Sequence, residues 1–181
     1  MARNVEIKAR IEDCGRITST AAALASEGPF EIAQDDTFFR CDAGRLKLRM
    51  FSADSGELIF YRRENQQGPK ESFYLRSRTS EPNTLRESLL LAYGQVGRVV
   101  KQRTLFLAGR TRIHIDRVEG LGHFLELEVV LTDDEPIEAG VSEAEQIMLK
   151  LGIKPSQWVD AAYVDLLAGQ TGHPMLGCDS N

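Results

Sequence analysis

The sequence predicts a mainly β protein of the α+β class, in which eight antiparallel strands can close into a barrel with helices packed outside it. Short segments such as residues 4–10 and 45–49 alternate between apolar and charged residues, and successive side chains of a strand point to opposite faces. Eight segments have the character of strands, and every connection short enough to judge favours antiparallel neighbours. Eight such strands can close around one small ligand.

Turn-forming residues separate these strands. Residues 42–44 (Asp-Ala-Gly) and 54–56 (Asp-Ser-Gly) are typical of hairpin turns. The polar segment 64–70 contains Gly-Pro and indicates a loop. Residues 108–109 and 119–122 join the last three strands. In order, strands are predicted over residues 4–11, 30–39, 45–52, 57–63, 71–79, 96–107, 111–118 and 123–131.

Four segments are predicted to be helices. The first covers residues 16–26, which are rich in alanine and are followed by Gly-Pro. The second begins with Ser80 as a cap and Pro82 in the first turn, and it ends before Gly94. After residue 136 the apolar residues recur at helical spacing around residues 144–151, and residues 158–168 form the last predicted helix.

Length and composition favour one domain and exclude several functional classes. The 181 residues, 42% hydrophobic and 27% charged, suffice for one core, and we predict a domain over residues 1–168 with a loose tail at 169–181. A net charge of −5 does not attract nucleic acid, and no apolar run approaches the roughly 20 residues that span a bilayer. Three cysteines without a CxxC pair argue against a disulfide framework. We expect a cytoplasmic protein.

The distribution of charge predicts an inverted barrel. The helices supply surfaces for the apolar faces of the strands, so the charged faces can line the bore. Charges inside a barrel need an anion, a metal or water to satisfy them. Lysines and arginines gathered around a few carboxylates suit a multiply charged anion that is bound together with a divalent metal. The pattern therefore indicates a polyphosphate site.

At this point the residues resemble a known family, the CYTH domain superfamily of triphosphate tunnel metalloenzymes, which includes class IV adenylyl cyclases and thiamine triphosphatases. The family's first-strand signature Glu-x-Glu-x-Lys is matched by Asn4-Val5-Glu6-Ile7-Lys8, with asparagine in the first place. The other matches follow in order at residues 36–39 (DTFF), 44–49 (GRLKLR), 61–63 (YRR), 101–103 (KQR), 111–116 (TRIHID), 118–128 (VEGLGHFLELE) and 163–167 (YVDLL).

The resemblance implies an eight-stranded antiparallel tunnel in which a triphosphate lies along the bore with one or two Mg²⁺ or Mn²⁺ ions. It implies an adenylyl cyclase that converts ATP to cyclic AMP and pyrophosphate. The alternatives are a triphosphatase acting on inorganic triphosphate, thiamine triphosphate or nucleotides, and a non-catalytic module that binds polyphosphate or nucleotide. A small-molecule triphosphate is the expected partner, and a homodimer remains an option.

Charge and parity select the candidate site residues. The predicted triphosphate ligands are Lys8, Arg10, Lys47, Arg49, Arg63, Lys101, Arg103 and Arg112, since a triphosphate needs many charge-assisted donors when it leaves water. The predicted metal ligands are Glu6, Glu126 and Glu128, because hard divalent ions take oxygen ligands. These three and Asp116 are the predicted catalytic residues. The alternatives are a solvated sheet face and ion pairs without a metal.

Several of these residues carry open alternatives. Arg10 and Lys101 lie near strand ends, which can turn outward. Asp116 can bind a metal or orient an arginine of the lining. His114 shares its face, but a single histidine is more often structural than catalytic. Asn4 stands where the family pattern has a carboxylate, so it removes one negative charge from the site.

Overall fold

The chain folds as eight antiparallel strands that form one closed barrel, as the sequence predicts. The computed structural model describes residues 2–63 and 69–171, without the side chains of residues 2, 63, 70–72 and 171. The strands are β1 (Ala2–Arg10), β2 (Glu27–Phe39), β3 (Arg45–Ser52), β4 (Ser55–Arg63), β5 (Lys70–Thr79), β6 (Gln95–Ala108), β7 (Thr111–Val118) and β8 (Gly122–Leu131). Around the barrel their order is β1-β5-β4-β3-β2-β6-β7-β8.

The register of the strands places opposite charges beside one another on the inner face. Lys8 of β1 lies opposite Glu126 of β8, and Asp36 of β2 lies opposite Arg49 of β3. Arg103 of β6 is likewise opposite Asp116 of β7. Opposite charges directly across an antiparallel pair attract one another, so the register is itself stabilised by the charges that line the bore.

Two helices cover the outer apolar face of the barrel. These are α1 (Cys14–Leu24) and α3 (Ile137–Lys150). Ala144, Met148 and Ile17 pack with the outward side chains of β1, β7 and β8. The strand residues of this main core are Val5, Ile7, Ala9, Ile113, Ile115, Leu125, Leu127, Val129 and Leu131. The hydrophobic core therefore lies between the barrel and its helices, which leaves the inner face free to be polar.

The remaining helices depart in detail from the prediction. The N-cap residue of helix α2 (Pro82–Tyr93) is Glu81 and not the predicted Ser80, and the Glu81 side chain makes no capping hydrogen bond. The predicted helix over residues 158–168 begins only at Tyr163: α4 covers Tyr163–Thr171, and a 3₁₀ turn (Pro155–Gln157) precedes the predicted range. Between them Trp158 forms a backbone bridge to Ala9, because the chain runs here beside the end of β1. Helix α4 continues to Thr171, and residues 172–181 of the predicted tail lie outside the described residues.

A second apolar cluster covers one end of the barrel. It joins the end of β2 and the start of β6 to the β7–β8 turn and the start of α4. Its buried members are Phe38, Val99, Val118, Leu121, Phe124, Ala162, Tyr163 and Val164; we call it the end cluster. Among the described residues, none of the helices is long and apolar enough to cross a membrane.

Candidate functional site

A cavity of about 330 Å³ occupies the bore of the barrel. Six of the eight predicted triphosphate ligands line it: Lys8, Lys47, Arg49, Lys101, Arg103 and Arg112. They come from β1, β3, β6 and β7, so the positive charge reaches the cavity from several directions. The inward side of these strands is thus the charged side, as their alternation predicts.

Asp116 anchors the cations of the wall formed by β6 and β7. Its carboxylate, which has no exposed surface, accepts hydrogen bonds from Lys101 Nζ at 2.8 Å and from Arg103 Nε and Nη2 at 2.6 and 2.7 Å. The Tyr163 hydroxyl donates to the same carboxylate at 3.0 Å. Burial alone would raise the pKa of Asp116, but the charges of Arg103 and Lys101 hold it below its usual range. Both oxygens are therefore occupied by donors.

These contacts show where the structure places Asp116, which was predicted to be catalytic. The Asp116 side chain lies behind the cavity and not on its lining, and it orients Lys101 and Arg103 from there. Of the two roles that the sequence left open, metal ligand or orienter, the geometry supports the orienter. Lys101, predicted near a strand end that could turn outward, points inward because this carboxylate holds it.

Asp36 plays the same part on the neighbouring pair of strands, β2 and β3. It accepts from Lys47 Nζ at 2.7 Å and from Arg49 Nε and Nη2 at 2.7 Å each. Burial alone would raise the pKa of Asp36, but Arg49 and Lys47 outweigh it and hold that pKa far below its usual value. Burial and repulsion from Arg49 lower the pKa of Lys47 to about 8. An anion entering the cavity would favour the charged form of this lysine.

Three side chains with metal-ligating atoms converge on the inner face of β7 and β8. His114, Glu126 and Glu128 each offer one ligand atom, and these atoms lie within 4.8 Å of one another. His114 Nδ1 is 4.0 Å from Glu126 Oε2 and 3.8 Å from Glu128 Oε1. Burial and the charge of Arg103 lower the pKa of His114 to about 4, so the imidazole is neutral near pH 7 and one ring nitrogen carries a lone pair.

The two glutamates of this group are ionised. Burial alone would raise the pKa of Glu126, but Lys8 and Arg103 lower it well below its usual value. Glu126 is 3.4 Å from Lys8 Nζ and 2.7 Å from Arg103 Nη2, and Glu128 accepts from Arg112 Nη1 at 3.2 Å. Each carboxylate thus contacts a cation and still faces the shared space.

Glu6 lines the cavity, as predicted, and lies opposite Glu128 in the β1–β8 register. Among the described residues, the group of converging ligand atoms contains His114 together with Glu126 and Glu128, and Glu6 is not part of it. The structure thus brings two of the three predicted metal ligands together and adds His114 to them.

Two predicted triphosphate ligands are not brought into the cavity lining. Arg10 is exposed, its guanidinium lies 4.7 Å from the centre of the Phe124 ring, and it donates to the Leu121 carbonyl at 2.8 Å. Arg10 thus contacts Phe124 of the end cluster and does not line the cavity. The side chain of Arg63 lies outside the described part of the structure.

Asn4 does lie on the cavity wall, where the family pattern has a carboxylate. It is 3% exposed, and its Oδ1 has no hydrogen-bond partner. Arg76 lines the end of the cavity away from the end cluster and is half exposed, 3.9 Å from Glu57. We therefore place the opening of the cavity at this arginine.

Sequence reasoning missed three contributions to the site. Tyr163 belongs to the last predicted helix, one of those expected to pack outside the barrel, but its ring lies 4.2 Å from Lys8 Nζ and lines the cavity. His114 was expected to be structural, and Asp36 had no assigned role. The hairpin between β7 and β8 contained the missing signal, since counting back from the Val118–Gly122 pair places His114 opposite Glu126.

The chain is similar to known proteins over most of its length. Residues 2–163 match the family model described as the CYTH domain. The adenylate cyclase CyaB of Aeromonas hydrophila is 26% identical over 172 residues, covering 88% of this chain and 85% of that protein.

Solved structures show the same fold. The PH1012 protein of Pyrococcus horikoshii matches with a TM-score of 0.80 at 21% identity, over 90% of this chain and 98% of that one. HpAC1 from Hippeastrum, whose structure is described as revealing a dominant triphosphatase activity, matches with a TM-score of 0.65 at 16% identity, over 95% and 96% of the two chains.

Proposed function

The chain belongs to the CYTH domain family, and from this we propose that it is a divalent-metal-dependent enzyme acting on a substrate that carries a triphosphate. One observation carries the proposal: cations from four strands line a single cavity together with a group of two carboxylates and an imidazole. Positive charge from several strands suits an anion with several charges, and the acidic group suits a metal bound with it.

The cations are built to receive phosphate oxygens without rearranging. Asp36 holds Lys47 and Arg49, and Asp116 holds Lys101 and Arg103, each through bonds of 2.6–2.8 Å. Donors that are already oriented lose little conformational freedom when the substrate binds, and they stabilise charge that moves between oxygens in the transition state. The main work of the protein is thus to position the substrate and neutralise its charge.

The residues also fit a divalent ion. Glu126 and Glu128 are ionised, and His114 Nδ1 is buried without a hydrogen-bond partner beside them. When bound, Mg²⁺ or Mn²⁺ would neutralise charge on the phosphate oxygens and help to orient the attacking oxygen. Glu126 would hold such an ion while it also positions Arg103 and Lys8.

We place adenylyl cyclase chemistry first because of the relationship to the Aeromonas protein. In this reaction the ribose 3′-oxygen of ATP bonds to the α-phosphorus, the bond from that phosphorus to the bridging oxygen breaks, and pyrophosphate leaves. The 3′-hydroxyl proton passes to solvent. Apolar side chains of Ile32, Phe51 and Leu105 also line the cavity and offer a surface for the organic part of the substrate.

Hydrolysis of a triphosphate is the second candidate. The inner end of the cavity, lined by Lys8 and Lys101 beside Tyr163, suits an unsubstituted terminal phosphate, and the likeness to HpAC1 points the same way. Here water attacks the terminal phosphorus and orthophosphate is released. Inorganic triphosphate, thiamine triphosphate and nucleotides are the candidate substrates. We propose a cytoplasmic location for either reaction, which the free thiols of Cys14 and Cys41 support.

A product-resolved screen tests the proposal. The protein is incubated with ATP, inorganic triphosphate or thiamine triphosphate, with Mn²⁺, Mg²⁺ or a chelator, and the products are separated by ion-exchange chromatography. Cyclic AMP with pyrophosphate supports the cyclase, and orthophosphate supports the hydrolase. Tight binding of triphosphate without any product would indicate a non-catalytic module, and absence of both binding and products would refute the proposal.

A further inference from the structure

His114 is the most unusual polar group of the cavity. It is 3% exposed, and its Nδ1 is buried without a hydrogen-bond partner. The distances of 3.8 and 4.0 Å from Nδ1 to the nearest oxygens of Glu128 and Glu126 are too long for hydrogen bonds. Leaving a buried polar group unpaired costs about 1–3 kcal/mol. A group kept under this penalty, with two carboxylates facing it, is suited to a ligand that occupies the space between them.

The spacing is that of a metal site before the ligands close on the ion. Divalent ions bind nitrogen and oxygen ligands at about 2.1 Å, so two ligands of one ion are at most roughly 4.2 Å apart. The three ligand atoms here lie within 4.8 Å of one another. Side-chain movements of a few tenths of an ångström would therefore bring all three within bonding distance of one ion.

We propose that His114 is a ligand of the divalent metal together with Glu126 and Glu128, and that this nitrogen makes the site prefer a first-row transition ion such as Mn²⁺ to Mg²⁺. The inference rests on the proposed function only in taking the cavity to be a metal site. It replaces the all-carboxylate set expected from the sequence with a mixed nitrogen–oxygen set.

The preference follows from ligand chemistry. Mg²⁺ takes oxygen ligands in a strict octahedral arrangement and retains several waters. Imidazole suits the later divalent ions, and affinity for a given nitrogen–oxygen site rises from Mn²⁺ along the first-row series towards Cu²⁺. With a neutral nitrogen in place of a third carboxylate, the group carries only two negative charges. This favours Mn²⁺, which gains from bonding to the Nδ1 lone pair, over Mg²⁺, which is held mainly by charge.

Mn²⁺ is the probe for the test, because its electron spin resonance reports its ligands directly. The untagged full-length protein, stripped with a chelator, is titrated with Mn²⁺ and with Mg²⁺ in the absence of any triphosphate. Electron spin echo modulation of the bound Mn²⁺ then shows whether a ¹⁴N nucleus is coordinated. His114→Gln removes the nitrogen, and His123→Gln, at a half-buried position on the outward side of β8, is the matched control.

We expect ¹⁴N modulation in the wild type and in His123→Gln, and none in His114→Gln. We also expect His114→Gln to weaken Mn²⁺ binding by about 10–100-fold and Mg²⁺ binding by much less. The wild-type spectrum alone can overturn the inference, even if the variant does not fold: Mn²⁺ bound tightly without ¹⁴N modulation would place the ion on carboxylates only. Failure of the wild type to bind Mn²⁺ at all would instead count against the metal dependence of the proposed function.

Discussion

Asp116→Asn tests whether one buried carboxylate organises the inner wall of the cavity. Asp116 has no exposed surface, and three side chains donate four hydrogen bonds to it at 2.6–3.0 Å. The asparagine side chain has the same shape but lacks the charge, and its NH₂ group would face donors. Lys101 would lose its hydrogen-bonded counter-charge, whereas Arg103 would retain Glu126 at 2.7 Å.

The structure sets the size of the effect. Removing one partner of a buried ion pair costs about 3–5 kcal/mol, and the remaining contact of Arg103 with Glu126 places the expected loss near the lower end, at about 3 kcal/mol. For a domain of this size, 1 kcal/mol shifts the midpoint of thermal unfolding by about 2–4 °C, so we expect a decrease of roughly 6–12 °C.

Urea and thermal unfolding of the chelator-treated protein measure this loss. Asp165→Asn is the matched control, since Asp165 forms a two-bond pair with Arg45 but its side chain is 44% exposed; an exposed pair of this kind contributes about 0.2–1 kcal/mol. If Asp116→Asn is no more destabilising than Asp165→Asn, the carboxylate does not organise the wall and the reasoning is wrong.

Three further predictions concern binding, pH and packing. Arg49→Ala should weaken triphosphate binding, measured by calorimetry, and change turnover at saturating substrate little. Glu126→Gln should lower metal-dependent turnover more than it lowers triphosphate affinity. If Arg49→Ala instead affects mainly turnover and Glu126→Gln mainly affinity, the two roles are exchanged. The pKa of Asp36 is lower in the folded state than its usual value of 3.8, so its contribution to stability is present above pH 3.8 and is lost as the pH falls below it. The urea midpoint of Asp36→Asn should therefore fall less steeply than that of the wild type between pH 5 and 2. A Cβ added at Gly97 would overlap a side chain of α4, while one at Gly169 would meet nothing within 4 Å; Gly97→Ala should destabilise by about 1–3 kcal/mol, and Gly169→Ala should not.

Much of the fold could be predicted from the sequence because β-strands have a period of two. Glu6 and Lys8, and likewise Lys47 and Arg49, are separated by one apolar residue and therefore share a face. The helices cover the apolar face on the other side. The strand bounds agree with the prediction to within a few residues, since the turns carry glycine. Parity does not show what a side chain contacts at the end of a strand, which is why Arg10 was predicted to line the bore with Lys8.

The details of the site depended on distances between elements that are far apart in the sequence. The helical pattern of Tyr163 showed an apolar face, but not that the helix starts across the end of the bore, 47 residues beyond Asp116, its hydrogen-bond partner. Whether Asp116 binds a metal or orients cations depends on Lys101 and Arg103, and a single strand does not show its neighbours. The pairing of His114 with Glu126 could have been predicted from the sequence, because it follows from the register of the β7–β8 hairpin alone.

In the part of the chain that the structure describes, side chains of the end cluster line one end of the bore. Among the described residues, Lys8 and Lys101 lie beside Tyr163 of the end cluster, and the half-exposed Arg76 lines the same cavity. We infer that a ligand enters and leaves past Arg76. With the function proposed above, such a passage would admit the free end of a phosphate chain, and two nucleosides bridged by phosphates would offer no free end to insert. It would also make departure sequential, since the fragment nearest the opening would have to leave before the one behind it.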